Sequence, residues 1–172
     1  MGASYRARQF LLALYASPSS TELKQVREIL SPDLMALFLR MQSSEQSHSI
    51  QVMQKLLEEG NLHPDLLAGA LLHDVGKSLH PLRAWERVMI VLGEALFPVL
   101  AARWGRSEPR GWKRAFVVAQ QHPEWGAELA ARAGASPDVI QLIRRHQDAR
   151  PTIVHNFGDQ CLIHLQLADD ES

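Results

Sequence analysis

The chain has 172 residues, which suits one domain, and 46% of them are hydrophobic, enough for a sizeable core. Its 18 basic and 19 acidic side chains give a formal net charge of −1. This balance argues against a dedicated nucleic-acid-binding protein, so we expect no nucleic-acid polymer as a partner. The single cysteine, Cys161, excludes an internal disulfide and favours a reducing, cytoplasmic location.

The N-terminal segment carries Arg6 and Arg8 before the apolar run FLLALYAS. This run is at the short limit for a signal peptide, and we interpret it as an amphipathic first helix. No apolar run approaches the roughly 20 residues that a membrane-spanning helix needs, so we expect no membrane partner. Residues 1–40 are predicted to form a helical extension. Because this extension carries apolar residues that look exposed, a homodimer contact through it is an open alternative.

Apolar residues recur at helical spacing along nearly the whole chain, and the alternation typical of strands is hard to find. Ser31-Pro32 is a helix start signal, an N-cap followed by proline at the first helical position. After the first helix we predict a helix over 21–30, another that begins at Pro32, a long one that ends at about Glu59 with Leu57 facing inward, and one over 64–77. Two or three helices are predicted within 82–121. The last three are predicted from Pro123 to Gly134, from Pro137 to about His146, and over 158–168. The sequence therefore predicts a single all-α domain over residues 1–172.

The stretch GALLHDVGKSL, residues 69–79, places ionisable groups in an apolar segment. Burying His73 and Asp74 costs several kcal/mol each unless they are paired or bound to a metal. Adjacent side chains on a helix diverge by about 100°, so these two can bracket a metal ion. Lys77 would share the face of His73, and Gly76 would leave room for a ligand or another helix.

Other candidate ligands lie on separate predicted helices. His48 lies on the long helix, His122 precedes a proline, and His146 ends a helix. Asp169 follows Leu165 by four residues and so extends the stripe that faces the core. Its neighbour Asp170 is a weaker candidate, and the remaining histidines have no motif partner.

The ordered set resembles the HD-domain superfamily at every ligand position: His48, His73-Asp74, His122, His146 and Asp169. HDVGK resembles the HD-x-G-K core of the HDIG branch. QHPEWGAELA is similar to the H-P-x-x-G-A segment of several HD phosphohydrolases, including the HD-GYP group. The resemblance covers roughly residues 45–170, and it implies a helical bundle of the HD-domain/phosphodiesterase-like type.

The resemblance also implies a dinuclear metal centre. One ion would be held by four side chains: His48, His73, Asp74 and Asp169. A second ion would be held by His122 and His146 and bridged to the first by Asp74. Imidazole and carboxylate ligands suit Fe, Mn, Zn, Ni or Co better than Ca.

The implied activity is metal-dependent hydrolysis of a small phosphorylated substrate, with nucleotides among the candidates. Two metal ions can activate water and polarise a phosphoryl oxygen, so no serine or cysteine nucleophile is needed. Asp74 and Lys77 are the predicted catalytic residues, and Lys77 would offset charge on the phosphate in the transition state. Two alternatives stay open, a mixed-valent diiron oxygenase of the same fold and a nucleotide-binding module without catalysis.

The sequence also departs from relatives with the same motifs. Gln147 follows His146 where the HD-GYP group has a second histidine, and no GYP tripeptide is present, which disfavours cyclic di-GMP as the substrate.

Residues 78–121 form a predicted helical insert with seven basic residues. We expect this insert to close over the pocket, although a solvated helical hairpin is an equal alternative. Its tryptophans, Trp85, Trp104 and Trp112, are expected in the core. Trp125 is a candidate to cover the pocket, and Arg144 or Arg145 to reach a phosphate.

Overall fold

The structure, a computed structural model, describes residues 16–172. The predicted first helix, with Phe10, Leu11, Leu14 and Tyr15 on one face, lies outside the described residues. Within the described part the chain forms helices and no strand, which confirms the all-α prediction. The α-helices are α1 (Ser20–Ile29), α2 (Pro32–Phe38), α3 (Ser43–Glu58), α4 (Pro64–Leu72), α5 (Ala84–Leu96), α6 (Pro98–Gly105), α7 (Arg114–Arg132), α8 (Pro137–Arg145) and α9 (Phe157–Asp170). Short 3₁₀ helices span Val75–Leu79 and Gly111–Lys113.

Helix boundaries follow local capping chemistry. Ser31 and Ser136 each accept a hydrogen bond from the backbone N–H three residues later, ahead of a proline at the first helical position. Gly60 and Gly134 follow α3 and α7 with φ of 83° and 78°, a conformation that favours glycine. The predicted starts of α2 and α8 are therefore confirmed.

The main core lies between α1–α4 and α7–α9. Ile50, Met53 and Leu56 on α3 are completely buried in it. The prediction that Leu57 also faces inward is wrong, because it is 36% exposed. Leu57 lies in the last turn of α3, one residue before the helix ends. Cys161 is buried in the same core, as predicted, and is unpaired.

The helix predicted over 64–77 is wrong in its last turn. Helix α4 ends at Leu72, His73 caps it, and the chain tightens into the 3₁₀ helix Val75–Leu79. In this tighter winding side chains three residues apart eclipse, so Lys77 lies beside Asp74 and donates to its Oδ2 at 2.6 Å. The expected pairing of Lys77 with the face of His73 is therefore also wrong.

The prediction that Pro123 opens a helix is wrong. Helix α7 runs through it from Arg114 to Arg132, and His122 lies in the middle of the helix. Proline has no N–H, so the carbonyl of Ala119 lacks its helical donor. Tertiary packing outweighs this loss, because both His122 and Pro123 are buried.

Most of the predicted insert, residues 78–121, packs against α7 as α5 and α6, whereas residues 114–121 are the first turns of α7 itself. A small second core around Leu82 and Val118 joins the insert to α7. The expectation of buried tryptophans is wrong for two of three, because Trp85 and Trp112 are more than half exposed. None of the helices described over residues 16–172 is long and apolar enough to cross a membrane.

Candidate metal centre

Six ionisable side chains from widely separated positions converge where the ends of α4, α8 and α9 meet α3 and the middle of α7. They are the six that the sequence singled out: His48, His73, Asp74, His122, His146 and Asp169. Their candidate ligand atoms form two groups of three, and within each group these atoms lie within 4.8 Å of one another.

The first group joins α3, the end of α4 and the end of α9. His48 Nε2 lies 2.8 Å from Asp169 Oδ1, and His73 Nε2 lies 3.6 Å from the same oxygen. His73 is almost fully buried, whereas the side chains of His48 and Asp169 are each about one-third exposed. Asp170 points elsewhere and pairs with Arg150 at 2.7 Å, so the geometry selects Asp169 over its neighbour.

The second group is buried. Asp74 Oδ1 lies 3.1 Å from His122 Nε2 and 3.9 Å from His146 Nε2, and the two imidazole nitrogens are 3.1 Å apart. The other carboxylate oxygen, Asp74 Oδ2, lies 3.6 Å from His73 Nε2 in the first group. Asp74 therefore lies between the two groups with one oxygen toward each.

Backbone hydrogen bonds set the tautomers of the three buried histidines. Each places Nδ1 against a carbonyl of its own helix or of the helix that it caps, and since a carbonyl only accepts, Nδ1 carries the proton. The Nδ1–oxygen distances are 2.8 Å for His73 with Ala70, 2.9 Å for His122 with Val118 and 2.7 Å for His146 with Ile143. A neutral ring with this tautomer keeps its Nε2 lone pair, which is the form that binds metals.

Burial and neighbouring charges act in opposite directions on the second group. Burial lowers the pKa of His122 and, together with the nearby His73 and His122, lowers the pKa of His146 to about 3. Burial alone would raise the pKa of Asp74, but Lys77, His73 and His122 outweigh it and hold this pKa well below its usual range. At neutral pH the group is therefore one carboxylate beside two neutral imidazoles.

The more exposed pair behaves as an ion pair. Burial opposes ionisation of Asp169, but the hydrogen bond from His48 prevails and lowers the carboxyl pKa to about 2. Burial likewise opposes the charged form of His48, and Asp169 outweighs it and raises the imidazole pKa.

This donor set fits divalent transition-metal ions. The Nε2 lone pairs of His122 and His146 face each other at 3.1 Å, and neither neutral ring has a proton there to donate. A cation satisfies both lone pairs, whereas nothing else among residues 16–172 lies close enough to both except Asp74, which is itself an acceptor. Imidazole nitrogens with a carboxylate are the ligands that Fe, Mn, Zn, Ni and Co prefer.

A cleft of about 610 Å³ reaches this cluster and is lined there by His146 and Asp169. Helices α5 and α6 of the insert contribute other parts of its lining, including Glu94, Pro98 and Ala101. A volume of this size suits a small molecule. The insert therefore takes part in the cleft and is not merely a solvated hairpin.

Two further sequence expectations are not met by the geometry. Arg144 pairs with Glu124 at 2.9 Å, and Arg145 pairs with Asp159 at 3.1 Å, so both guanidinium groups are engaged away from the cluster. Trp125 packs against His80 with 5.2 Å between ring centroids and does not line the cleft. The four histidines without a motif partner, His63, His80, His155 and His164, belong to neither group of three, in agreement with the sequence expectation that they are not ligands.

Sequence reasoning missed Glu45 and Gln166. Glu45 is 2% exposed; its Oε1 accepts from Arg87 of α5 at 3.0 Å, and its Oε2 has no hydrogen-bond partner within the described chain. Glu45 precedes His48 by three residues, a spacing that puts both on one helix face and could have revealed it. Gln166 Nε2 donates to the carbonyls of His146 and Asp148, which fixes the chain after α8, and no sequence signal pointed to this role.

Comparison with known families gives one match. The HD domain model matches residues 46–169, a span that contains all six clustered side chains. The helical bundle agrees with this family, as the sequence predicted, whereas the HDIG branch stays a prediction. No curated protein and no solved structure matches the sequence significantly.

Proposed function

Because the chain belongs to the HD domain family, we propose that it is a metal-dependent phosphohydrolase acting on a phosphoester or a nucleotide anhydride. The observation that carries this proposal is the position of Asp74. One of its oxygens faces His122 and His146, and the other lies 3.6 Å from His73. A carboxylate placed in this way suits a bridge between two cations.

Two divalent ions would share the six side chains. His48, His73 and Asp169 would hold one ion, His122 and His146 would hold the other, and Asp74 would bridge them. Fe, Mn, Zn, Ni and Co are the candidates that this donor set favours. When bound, such a pair of ions supplies an activated water and an electrophile for the phosphoryl oxygen.

The chain's own residues would perform the remaining tasks. Lys77 is the cationic side chain closest to the bridging carboxylate, with Nζ 2.6 Å from Asp74 Oδ2 and the side chain 23% exposed. Its ammonium would offset the charge that develops on the phosphoryl oxygens. Cys161 is buried in the core and burial raises the pKa of its thiol, so we assign it no role as a nucleophile.

The proposed substrate is a small phosphorylated molecule, because the cleft beside the cluster has a volume of about 610 Å³. The near-zero net charge supports the proposal that no nucleic-acid polymer is bound. A homodimer and a cytoplasmic location remain proposals that rest on the sequence.

The test is phosphate release from generic phosphoesters by the purified protein supplemented with Mn²⁺ or Ni²⁺. We expect turnover in the wild type and none in Asp74→Asn, which keeps the shape of the side chain and removes its charge. Oxygen consumption with a mixed-valent EPR signal, in place of phosphate release, would identify a diiron oxygenase. Nucleotide binding without any turnover would identify a binding module, and either result would overturn the hydrolase proposal.

A further inference from the structure

The cleft beside the metal centre connects that centre to the insert. His146 and Asp169 line one part of it, and Glu94 at the end of α5 lines another. A molecule whose phosphoryl group reaches the metal centre would therefore extend its other end toward residues of the insert.

The charged side chains that line this cleft are nearly all acidic: Glu94, Asp148, Asp169 and Asp170. Among residues 16–172, Arg150 is the only lysine or arginine in the lining, and its guanidinium already pairs with Asp170 at 2.7 Å. Asp148 lies 3.7 Å from Arg145. Glu94 has neither an ion-pair partner nor a side-chain hydrogen bond among residues 16–172, which leaves one uncompensated carboxylate on the cleft wall.

The lining also holds neutral amides, and those of Gln120 and Gln147 can donate or accept without carrying charge. In contrast, both N–H donors of the Gln166 side-chain amide already bond to the carbonyls of His146 and Asp148. Its Oε1 is a buried acceptor without a partner in the described chain. Neutral amides cannot cancel a charge, so the unpaired carboxylate of Glu94 leaves this wall negative, and what complements it is a donor that carries positive charge.

A polyphosphate fits this lining poorly. Each phosphate beyond the one at the metal centre would bring negative charge toward Glu94, the carboxylate of the lining that is neither paired nor a proposed metal ligand, and like charges repel. The cationic side chains beside the site are engaged: Lys77 with Asp74, Arg150 with Asp170 and Arg145 with Asp159. A single phosphoryl group joined to a cationic group avoids this repulsion.

We propose that the substrate is a phosphomonoester whose leaving group carries an ammonium, and that Glu94 binds this ammonium and determines specificity. This inference rests on the proposed hydrolase function and narrows its substrate class. Water would form the new oxygen–phosphorus bond as the ester oxygen–phosphorus bond breaks. One proton of that water would pass to the leaving oxygen, and the products would be an amino alcohol and inorganic phosphate.

The test uses two non-hydrolysable ligands of the same shape, aminopropylphosphonate and butylphosphonate, which differ in having an ammonium or a methyl group at the end. Their affinities for the Mn²⁺-supplemented protein are measured by calorimetry, so the readout does not depend on turnover. An ion pair at an accessible site is worth up to about 1 kcal/mol, so we expect the wild type to prefer the amine by about fivefold.

Three variants assign the preference to Glu94. Glu94→Gln should bind both ligands equally, and Glu94→Lys should prefer butylphosphonate. The matched control is Glu108→Gln, which removes a carboxylate from the same insert, where Glu108 pairs with Arg110 outside the cleft lining. This control should keep the wild-type preference.

Four results would overturn the inference: equal affinities in the wild type, a preference that survives in Glu94→Gln, no binding of either phosphonate, or tighter binding of tripolyphosphate than of aminopropylphosphonate. Phosphate release from generic esters distinguishes the two proposals. If release occurs without an amine preference, this inference fails and the hydrolase proposal stands. If neither an ester nor a nucleotide anhydride is hydrolysed, the hydrolase proposal fails, whatever the phosphonates do.

Discussion

Gly76 packs directly against the backbone of His122. A Cβ atom at position 76 would lie 2.0 Å from the His122 carbonyl oxygen and 2.7 Å from the Gly126 nitrogen. This contact presses the 3₁₀ helix that follows Asp74 onto the middle of α7. It therefore brings Asp74 and His122, which are 48 positions apart in the chain, to 3.1 Å from each other.

We expect Gly76→Ala to separate these two elements. The atoms in its way belong to the backbone and cannot rotate aside, so we expect a loss of about 1–3 kcal/mol in the free energy of unfolding. Metal content should fall with it. Chemical denaturation in EDTA measures the first effect and elemental analysis the second. Gly158→Ala is the control, since its Cβ would meet only the Asn156 side chain at 3.2 Å. Unchanged stability of Gly76→Ala would contradict the packing described above.

Loss of a proposed ligand should remove the metal and the activity together. We predict that His73→Ala and Asp74→Ala each lower bound metal and reduce turnover by more than the roughly 10–100-fold seen when outer partners of metal ligands are lost. Elemental analysis and phosphate release are the measurements, with circular dichroism to verify the helical fold. His164→Ala, on α9 but in neither group, should retain both. Normal metal content in both ligand variants would defeat this prediction.

Lys77 should matter for turnover more than for metal binding. Lys77→Met removes the ammonium but no proposed ligand, so we expect kcat to fall by about 10²–10³ with the metal retained. The measurement is kcat at a verified metal content. Lys55→Met is the control, because it removes an ammonium that pairs with Glu171 on the surface. An unchanged kcat in Lys77→Met would exclude the charge-offsetting role.

The burial of Glu45 leads us to predict a pH-dependent change in the free energy of unfolding. Burial raises the pKa of Glu45 despite the nearby Lys77, and a raised pKa means that the folded state binds the proton more tightly than the unfolded state. The wild type therefore loses stability as pH rises through this window, whereas Glu45→Gln cannot ionise. The unfolding free energy of Glu45→Gln relative to wild type should consequently increase from roughly pH 4 to pH 7.

Denaturation of the metal-free protein at several pH values measures this difference. Glu58→Gln, an exposed position on the same helix, is the control and should show a much smaller pH-dependent difference. A relative stability of Glu45→Gln that stays constant or falls with pH would show that burial does not raise the pKa of the Glu45 carboxyl.

The sequence alone determined the helical class, most helix starts and the identity of the clustered side chains. Apolar periodicity reports which face of one helix is buried, and serine–proline pairs report where a helix begins. Both signals are local, so they are available without a structure. The ordered set from His48 to Asp169 was recognisable for a different reason, since it resembles the ligand pattern of the HD-domain family.

Only the tertiary structure decided which of these groups touch. Pro123 lies inside a helix because packing outweighs one lost hydrogen bond, and Asp169 rather than Asp170 meets His48 because of how α9 rotates against α3. The pairing of Glu45 with Arg87 and the acidic cleft at Glu94 depend on where the insert folds back. Such contacts join residues that are distant in the chain, and their distances follow from the packing of whole helices, which no local pattern encodes.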